Sequence, residues 1–241
     1  MSEERFALRR RQDRRRRLLR WLGGVLGVAA VVGLVWVIWF SDLLGVRTVQ
    51  VEGLSTLKPE QVRTAADLTP GTPLARVDTS AAAARVARLE RVEHVEVERS
   101  WPRTVTVVVT ERTAVAWTRV DGRIRALDRF GVDFRTLSKE PKGLVEVATT
   151  ATEPRQRQLA LVAAASVVSR LRADAPSLME LVQSVDAPSR DAVTLDLTKG
   201  RTVTWGSAAK PEQKVRVLEA LLRIDATGYD VSAPEQPTTR Q

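Results

Sequence analysis

The sequence predicts an α+β fold: a single N-terminal transmembrane helix, then a β-α-α-β-β domain over residues 46–112, then a mostly antiparallel β-domain with flanking helices over residues 113–234. Three observations carry that prediction. Residues 21–40, WLGGVLGVAAVVGLVWVIWF, are uncharged throughout, and as a helix they reach ~30 Å, the thickness of a hydrocarbon core. Beyond them, stretches that alternate apolar and polar residues stand beside stretches with apolar residues three and four apart, the periods of strand and helix. The composition, 44% hydrophobic with 13 Gly and 11 Pro in 241 residues, is that of a folded chain.

The first element is a basic cytoplasmic tail, residues 1–20, with nine arginines against Glu3, Glu4 and Asp13. The formal net charge is +9, and most of it sits here, so the basicity belongs to the tail rather than to the folded region. Arginines before the span, against Ser41 and Asp42 after it, place the N-terminus in the cytoplasm and the rest of the chain outside. With Phe6 the single aromatic residue in the tail and none within the run of arginines for base stacking, the tail is expected to lie on anionic lipid, and no nucleic acid is expected as a partner. The span is too long, and ends too bulkily at Ile38-Trp39-Phe40, for a cleaved signal peptide. Within it, Gly23 and Gly27 form a GxxxG, and Ala29 and Gly33 repeat the small-xxx-small spacing that lets a second helix approach.

Outside the span, Val46–Glu52 reads as a strand that Gly53 ends. Pro59 opens a helix that stops before Pro70-Gly71, and Asp78-Thr79-Ser80 caps a second, with Ala82, Val86 and Leu89 on one face. Two strands follow: Val92–Arg99, with Val95 and Val97 opposite Glu96 and Glu98, and Thr104–Glu111, with Val105, Val107 and Val109 on one side. Ser100-Trp101-Pro102 separates them as a turn.

The order β-α-α-β-β just beyond a membrane span is the layout of a POTRA domain. The segment VERSWPRTVTVVVTERTAVAW, residues 97–117, resembles the signature of the bacterial cell-division family FtsQ/DivIB, with Arg99, Pro102, Val105, Val107, Glu111 and Arg112 at matching positions. VRTVQVEGL and GTPLARVD resemble the same family's first strand and inter-helix loop, and the similarity extends to the basic tail and single span. The ratio of 32 Arg to 6 Lys suits a GC-rich, actinobacterium-like source.

From Thr113 the pattern changes. Ala114–Val120 and Arg123–Asp128 form a hairpin about Asp121-Gly122, and Ala192–Thr198 and Arg201–Trp205 form another about Lys199-Gly200. Pro154 opens a helix with Leu161, Ala165, Val168 and Leu171 on one face, which Pro176 ends; Pro211 opens another, with Val217, Leu218, Leu221 and Ile224 buried. Residues 206–222, GSAAKPEQKVRVLEALL, resemble the FtsQ pattern of a glycine before a helix with an early lysine, and Lys214 is the matching position. A solvated helix residue is the alternative reading of Lys214. Residues 229–234, Tyr229-Asp230-Val231-Ser232-Ala233-Pro234, read as a last short strand at the sheet edge, where free backbone groups accept an added strand. The remainder, EQPTTRQ, residues 235–241, is predicted to be a disordered tail because it is so polar.

The composition also excludes chemistry. There is no cysteine, so no disulfide, thiolate metal site or cysteine nucleophile is available, and His94 is the only histidine. His94 shares a strand face with Glu96 and Glu98, the pattern of a solvated surface. GxSxG, GxxxxGK[ST], HExxH and a GxGxxG after a strand are all missing, so no catalytic, metal or cofactor-binding residue is assigned. Trp101 and Trp117 are expected to pack in the core or at a domain junction.

The FtsQ resemblance implies a non-catalytic divisome scaffold at the division septum. It implies binding of FtsB- and FtsL-like membrane proteins outside the membrane and regulation of the septal peptidoglycan synthase complex. In that family the last strands of the β-domain receive a strand of the FtsB-type partner, which assigns Tyr229, Asp230, Val231, Ser232 and Lys214 to partner binding. The alternative is a POTRA-containing protein-transport or chaperone module, which predicts repeated POTRA units and a following barrel; one POTRA pattern and no run of barrel strands are present.

Overall fold

The computed structural model describes residues 3–41 and 44–241, and of residues 3–20 the backbone only. The arginine side chains assigned to lipid therefore lie outside the described residues. The chain divides into two compact units, residues 1–111 and 112–241.

The first unit begins with α1 (Glu3–Phe40), whose segment Trp21–Phe40 is, among the described residues, the one helix long and apolar enough to cross a membrane. Its apolar side chains are exposed along its length, as they must be in a helix whose solvent is lipid. A three-stranded sheet follows, in the order β1-β3-β2, from β1 (Thr48–Glu52), β2 (Val92–Ser100) and β3 (Thr104–Glu111). β3 pairs in parallel with β1 and antiparallel with β2. As the central strand it buries Val105, Val107 and Val109, while Thr104 and Thr106 occupy the alternate positions. Helices α2 (Pro59–Ala66) and α3 (Thr79–Val86) cover that face with Val62, Ala66 and Val86. The Asp78 side chain caps α3 by accepting from the Ala81 amide at 2.9 Å. Gly53, with φ of +79°, lets the end of β1 turn against β3, because a Cβ there would lie 2.1 Å from the Val109 carbonyl oxygen.

The second unit is a nine-stranded sheet. Its strands are β4 (Ala114–Val120), β5 (Arg123–Asp128), β6 (Asp133–Leu137), β7 (Val145–Ala148), β8 (Val182–Asp186), β9 (Val193–Leu197), β10 (Arg201–Gly206), β11 (Gly228–Asp230) and β12 (Thr238–Arg240). They lie in the order β12-β11-β10-β9-β8-β7-β4-β5-β6. Both predicted hairpins form, and Asp121, Gly122, Lys199 and Gly200 have the positive φ that such turns require. Three of the pairings are parallel, β4 with β7, β7 with β8 and β10 with β11. Parallel neighbours need a crossover, and the two helical stretches supply crossovers: α4 (Pro154–Asp174) with α5 (Pro176–Met179) between β7 and β8, and α6 (Pro211–Leu221) between β10 and β11.

α4 buries Leu161, Ala165, Val168 and Leu171, the predicted face, together with further alanines that let it lie close to the sheet. α6 is rotated from the prediction. Lys214, Val215 and Leu218 are buried, Val217 and Leu221 are half-buried, and Ile224, past the helix end, is exposed.

Two further expectations are corrected here. Residues 235–241 are not a disordered tail, because Thr238–Arg240 pairs antiparallel with β11. An edge strand with both faces in water needs backbone partners and β-forming residues, not apolar ones, so polarity did not argue against it. Consequently residues 229–232 are not the sheet edge; β11 is an inner strand, bonded on both sides.

Candidate functional site

The C-terminal end of the nine-stranded sheet, strands β10 to β12 with α6 behind them, holds every residue the family resemblance assigns to partner binding. β11 alternates: Tyr229 faces the core, and so does Val231 just after the strand. The Tyr229 hydroxyl, at the rim of that core, donates to the Ile224 carbonyl at 2.9 Å. Between them Asp230 faces out and folds back on the chain, its Oδ1 accepting from the Ser232 amide at 2.9 Å and the Ser232 hydroxyl at 2.7 Å. Gly206, with φ of +74°, ends β10 against this turn; a Cβ there would approach the Ser232 Cβ to 2.8 Å.

Lys214 does not reach solvent. Its ammonium donates to the carbonyls of Trp205 (2.8 Å) and Ser207 (2.7 Å) and lies over the Trp205 ring. Burial pushes its pKa down, Asp230 and Glu235 oppose that, and Lys210 adds to it. A charged donor spends two strong hydrogen bonds here, one on the end of β10 and one on the loop that joins β10 to α6, so Lys214 ties the helix to the strand that supports β11. Tyr229 and Val231 are likewise core residues, turned inward by the alternation of β11 and covered along that strand by β12, whereas Lys214 points inward from α6; none of the three presents its side chain at the exposed edge that the sequence suggests.

What the edge offers instead is β12. Thr238, Thr239 and Arg240 are exposed, with Gly228, Tyr229 and Asp230 opposite Arg240, Thr239 and Thr238 on the inner side. An ion pair between Lys210 and Glu235 fastens the approach to β12 onto the start of α6, and the hydrogen bond from Lys210 holds the Glu235 carboxyl below its ordinary range. At the opposite edge of the sheet, β6, the Arg125 guanidinium of β5 donates to the Asp133 carbonyl at 2.6 Å.

The signature residues at the end of the first unit serve its architecture. Glu111 accepts from the amides of Ser55 (2.6 Å), Thr56 (2.9 Å) and Leu57 (3.0 Å) and from the Thr56 hydroxyl, so one carboxylate closes the loop between β1 and α2. Burial alone would raise its pKa, but the Thr56 hydroxyl and the backbone donors outweigh that and lower it from 4.5 to about 2. The Arg99 guanidinium donates to the Val77 carbonyl at 2.6 Å, linking β2 to the segment before α3. Pro102 follows a cis peptide bond in the turn between β2 and β3. Arg112 opens the second unit with an ion pair at 2.5 Å to the fully buried Asp128, whose other oxygen accepts from the amides of Phe130 and Val132.

Trp117 is buried and its indole donates to the Leu144 carbonyl, whereas Trp101 is 52% exposed and packs in no core. His94 and Glu96 lie 3.2 Å apart, both exposed. Around Gly23, Gly27 and Gly33 no other side chain comes within 4 Å of where a Cβ would stand.

The family model described as "POTRA domain, FtsQ-type" matches residues 44–112. The chain is 38% identical to a "Cell division protein FtsQ" of Streptomyces bingchenggensis over 95% of its own length and 88% of the relative's. It is 37% identical to that of Streptomyces coelicolor over 89% of this chain and 86% of the relative. For the FtsQ of Mycolicibacterium smegmatis the figure is 36%, over 93% of this chain and 65% of the longer relative. The fold, the signature residues and these similarities together make the chain a member of the FtsQ family of bacterial cell-division proteins.

Proposed function

We propose that this chain is a non-catalytic scaffold of the division machinery that captures FtsB- and FtsL-like membrane proteins outside the membrane and thereby helps to assemble and regulate septal peptidoglycan synthesis. The observation that carries the reading is the free outer side of β12. A short, exposed, polar edge strand can accept one further strand through main-chain hydrogen bonds, with its alternating side chains setting register. The inner residues that the resemblance assigns to partner binding, Tyr229, Val231 and Lys214, support this edge from behind, and Asp230 and Ser232 shape the turn beside it. Arginine-rich residues 1–20 hold the N-terminus in the cytoplasm on anionic lipid, and Gly23 and Gly27 offer a partner span a close approach. Tethering by a common membrane raises the effective concentration of such partners, so a three-residue edge suffices where a free encounter would be weak.

The test is photo-crosslinking in dividing cells with a reactive residue placed singly at positions 226–241. Adducts to a small single-span protein at alternate positions of 238–240 are the expected result. Adducts confined to other surfaces, or spread over many exported proteins, would sink the edge assignment, and the latter outcome would favour a transport role.

A further inference from the structure

Beyond the span, Trp101 is the large apolar side chain that the described core of the first unit leaves exposed. It stands at the tip of the β2–β3 hairpin, 52% exposed, followed by exposed Pro102 and half-buried Arg103. The topology fixes which end of the sheet this tip occupies. β1 leaves the span, and β3 runs parallel to it, so the turn that begins β3 lies beside the start of β1. The Arg47 amide donates to the Arg103 carbonyl at 2.9 Å, and on the other flank the Val46 amide donates to the Thr72 carbonyl at 2.9 Å while Gly45 bridges to Pro73. Three segments, 44–47, 69–73 and 100–103, thus gather where the chain enters the domain.

The tether sets the distance. From Phe40 to Gly45 there are five residues, which extend to ~17 Å at most. The headgroup layer takes up ~5–7 Å of that. This end of the domain therefore stays within about 10 Å of the lipid headgroups whatever angle the domain adopts. The three segments contain no Asp or Glu, and Arg47 stands exposed among them; the nearest carboxylates in sequence are Asp42, Asp67 and Glu98. Trp36, Trp39 and Phe40 already line the adjoining end of α1, with the Trp36 and Phe40 rings stacked at 6.4 Å. An indole near an exposed arginine, held at that height, has the chemistry of an interfacial anchor: the ring enters the headgroup–acyl boundary, its N–H stays wet, and the Arg47 guanidinium meets phosphates.

We propose that the tip of the β2–β3 hairpin, Trp101 with the neighbouring Arg47, docks into the headgroup layer of the membrane that α1 crosses, and so fixes the tilt of the POTRA domain on the bilayer. The proposal rests on the reading of α1 as a membrane span. Its partner is a lipid surface with anionic headgroups, and docking restrains the edge strands of this domain to one presentation relative to neighbouring membrane proteins.

Because the chain has no cysteine, single nitroxide labels report cleanly. The full chain is reconstituted in phosphatidylglycerol-containing nanodiscs with labels at Val31→Cys, Thr69→Cys or Thr110→Cys, all of which keep Trp101 and Arg47, and relative accessibility to oxygen and to a water-soluble nickel complex is measured. The label at 69, in the exposed segment beside the tip, is expected at interfacial depth and that at 110, on the far end of β3, in water. Trp101→Ala should move the label at 69 to the aqueous value, while Trp101→Phe, which keeps a ring at the tip, should leave it at interfacial depth. An aqueous value at 69 with Trp101 in place and 31 in the hydrocarbon, or an interfacial value at 69 unchanged by Trp101→Ala, would overturn the docking alone. An aqueous value at 31 would overturn the span as well. Shielding at 69 that appears only when partner proteins are added would assign the tip to a protein contact and refute the lipid one.

Discussion

Glu111 turns one carboxylate into a pH-dependent clasp on the POTRA domain, and the consequence can be worked out in sign and size. Its pKa is lowered in the folded chain from 4.5 to about 2. A carboxyl with a depressed folded pKa contributes stability in full above its unfolded pKa and loses it as pH falls through the folded one. A separation of this size corresponds to a ceiling of about 3 kcal/mol, and partial access to water reduces the expected contribution to about 2 kcal/mol. Glu111→Gln removes the charge and leaves one acceptor oxygen for donors that now use two. The assay is urea unfolding of the detergent-solubilised chain, read by hydrogen exchange of peptides from β1 and β3 so that only the POTRA sheet is followed. At pH 7 the variant should be less stable by about 2 kcal/mol, and the gap should narrow below pH 4.5 and close near pH 2. A gap that stays constant from pH 7 to pH 3, or one smaller than about 0.5 kcal/mol at pH 7, would refute the clasp.

Substitutions at three other positions test the structural roles assigned above. Tyr229→Ala should destabilise the second unit by about 3–5 kcal/mol in urea unfolding followed by tryptophan fluorescence, since it empties a core position; a folded variant of near-normal stability would mean the ring is not buried. Lys214→Met should cost about 2–3 kcal/mol and speed hydrogen exchange at residues 205–208 and 228–231, because two carbonyls lose their charged donor; Lys214→Arg should not restore protection, as a planar fork does not fit the same site. Gly53→Ala should lower POTRA stability by at least about 2 kcal/mol in the same exchange assay, given its positive φ and the nearby Val109 carbonyl.

Much of the fold is legible in the sequence because periodicity and punctuation agree along it. Val105, Val107 and Val109 announce a strand, Asp78-Thr79-Ser80 a cap, and Asp121-Gly122 a hairpin, and each forms as read. Three things were not legible. Strands β6, β7 and β8 are short and only partly alternating, and the parallel pairs that β7 makes with β4 and β8 depend on contacts 29 and 38 residues apart in sequence. β12 is polar on both faces, so no local pattern marks it, although Thr238 and Thr239 are β-formers directly after Pro237. The inward aim of Lys214 has no sequence signal beyond its i+4 spacing to the buried Leu218, because lysine is ordinarily a surface residue. The strand read as the sheet edge, residues 229–232, is thus one strand in from the edge that the structure shows.

The most direct test of the docking edge is hydrogen exchange of the reconstituted chain with and without an FtsB-like partner. Strand addition at the outer side of β12 predicts that amides of residues 238–240 slow markedly on partner binding while those of β6, at the opposite edge, are unchanged. Partner binding that leaves 238–240 exchanging freely, with protection elsewhere, would contradict the account.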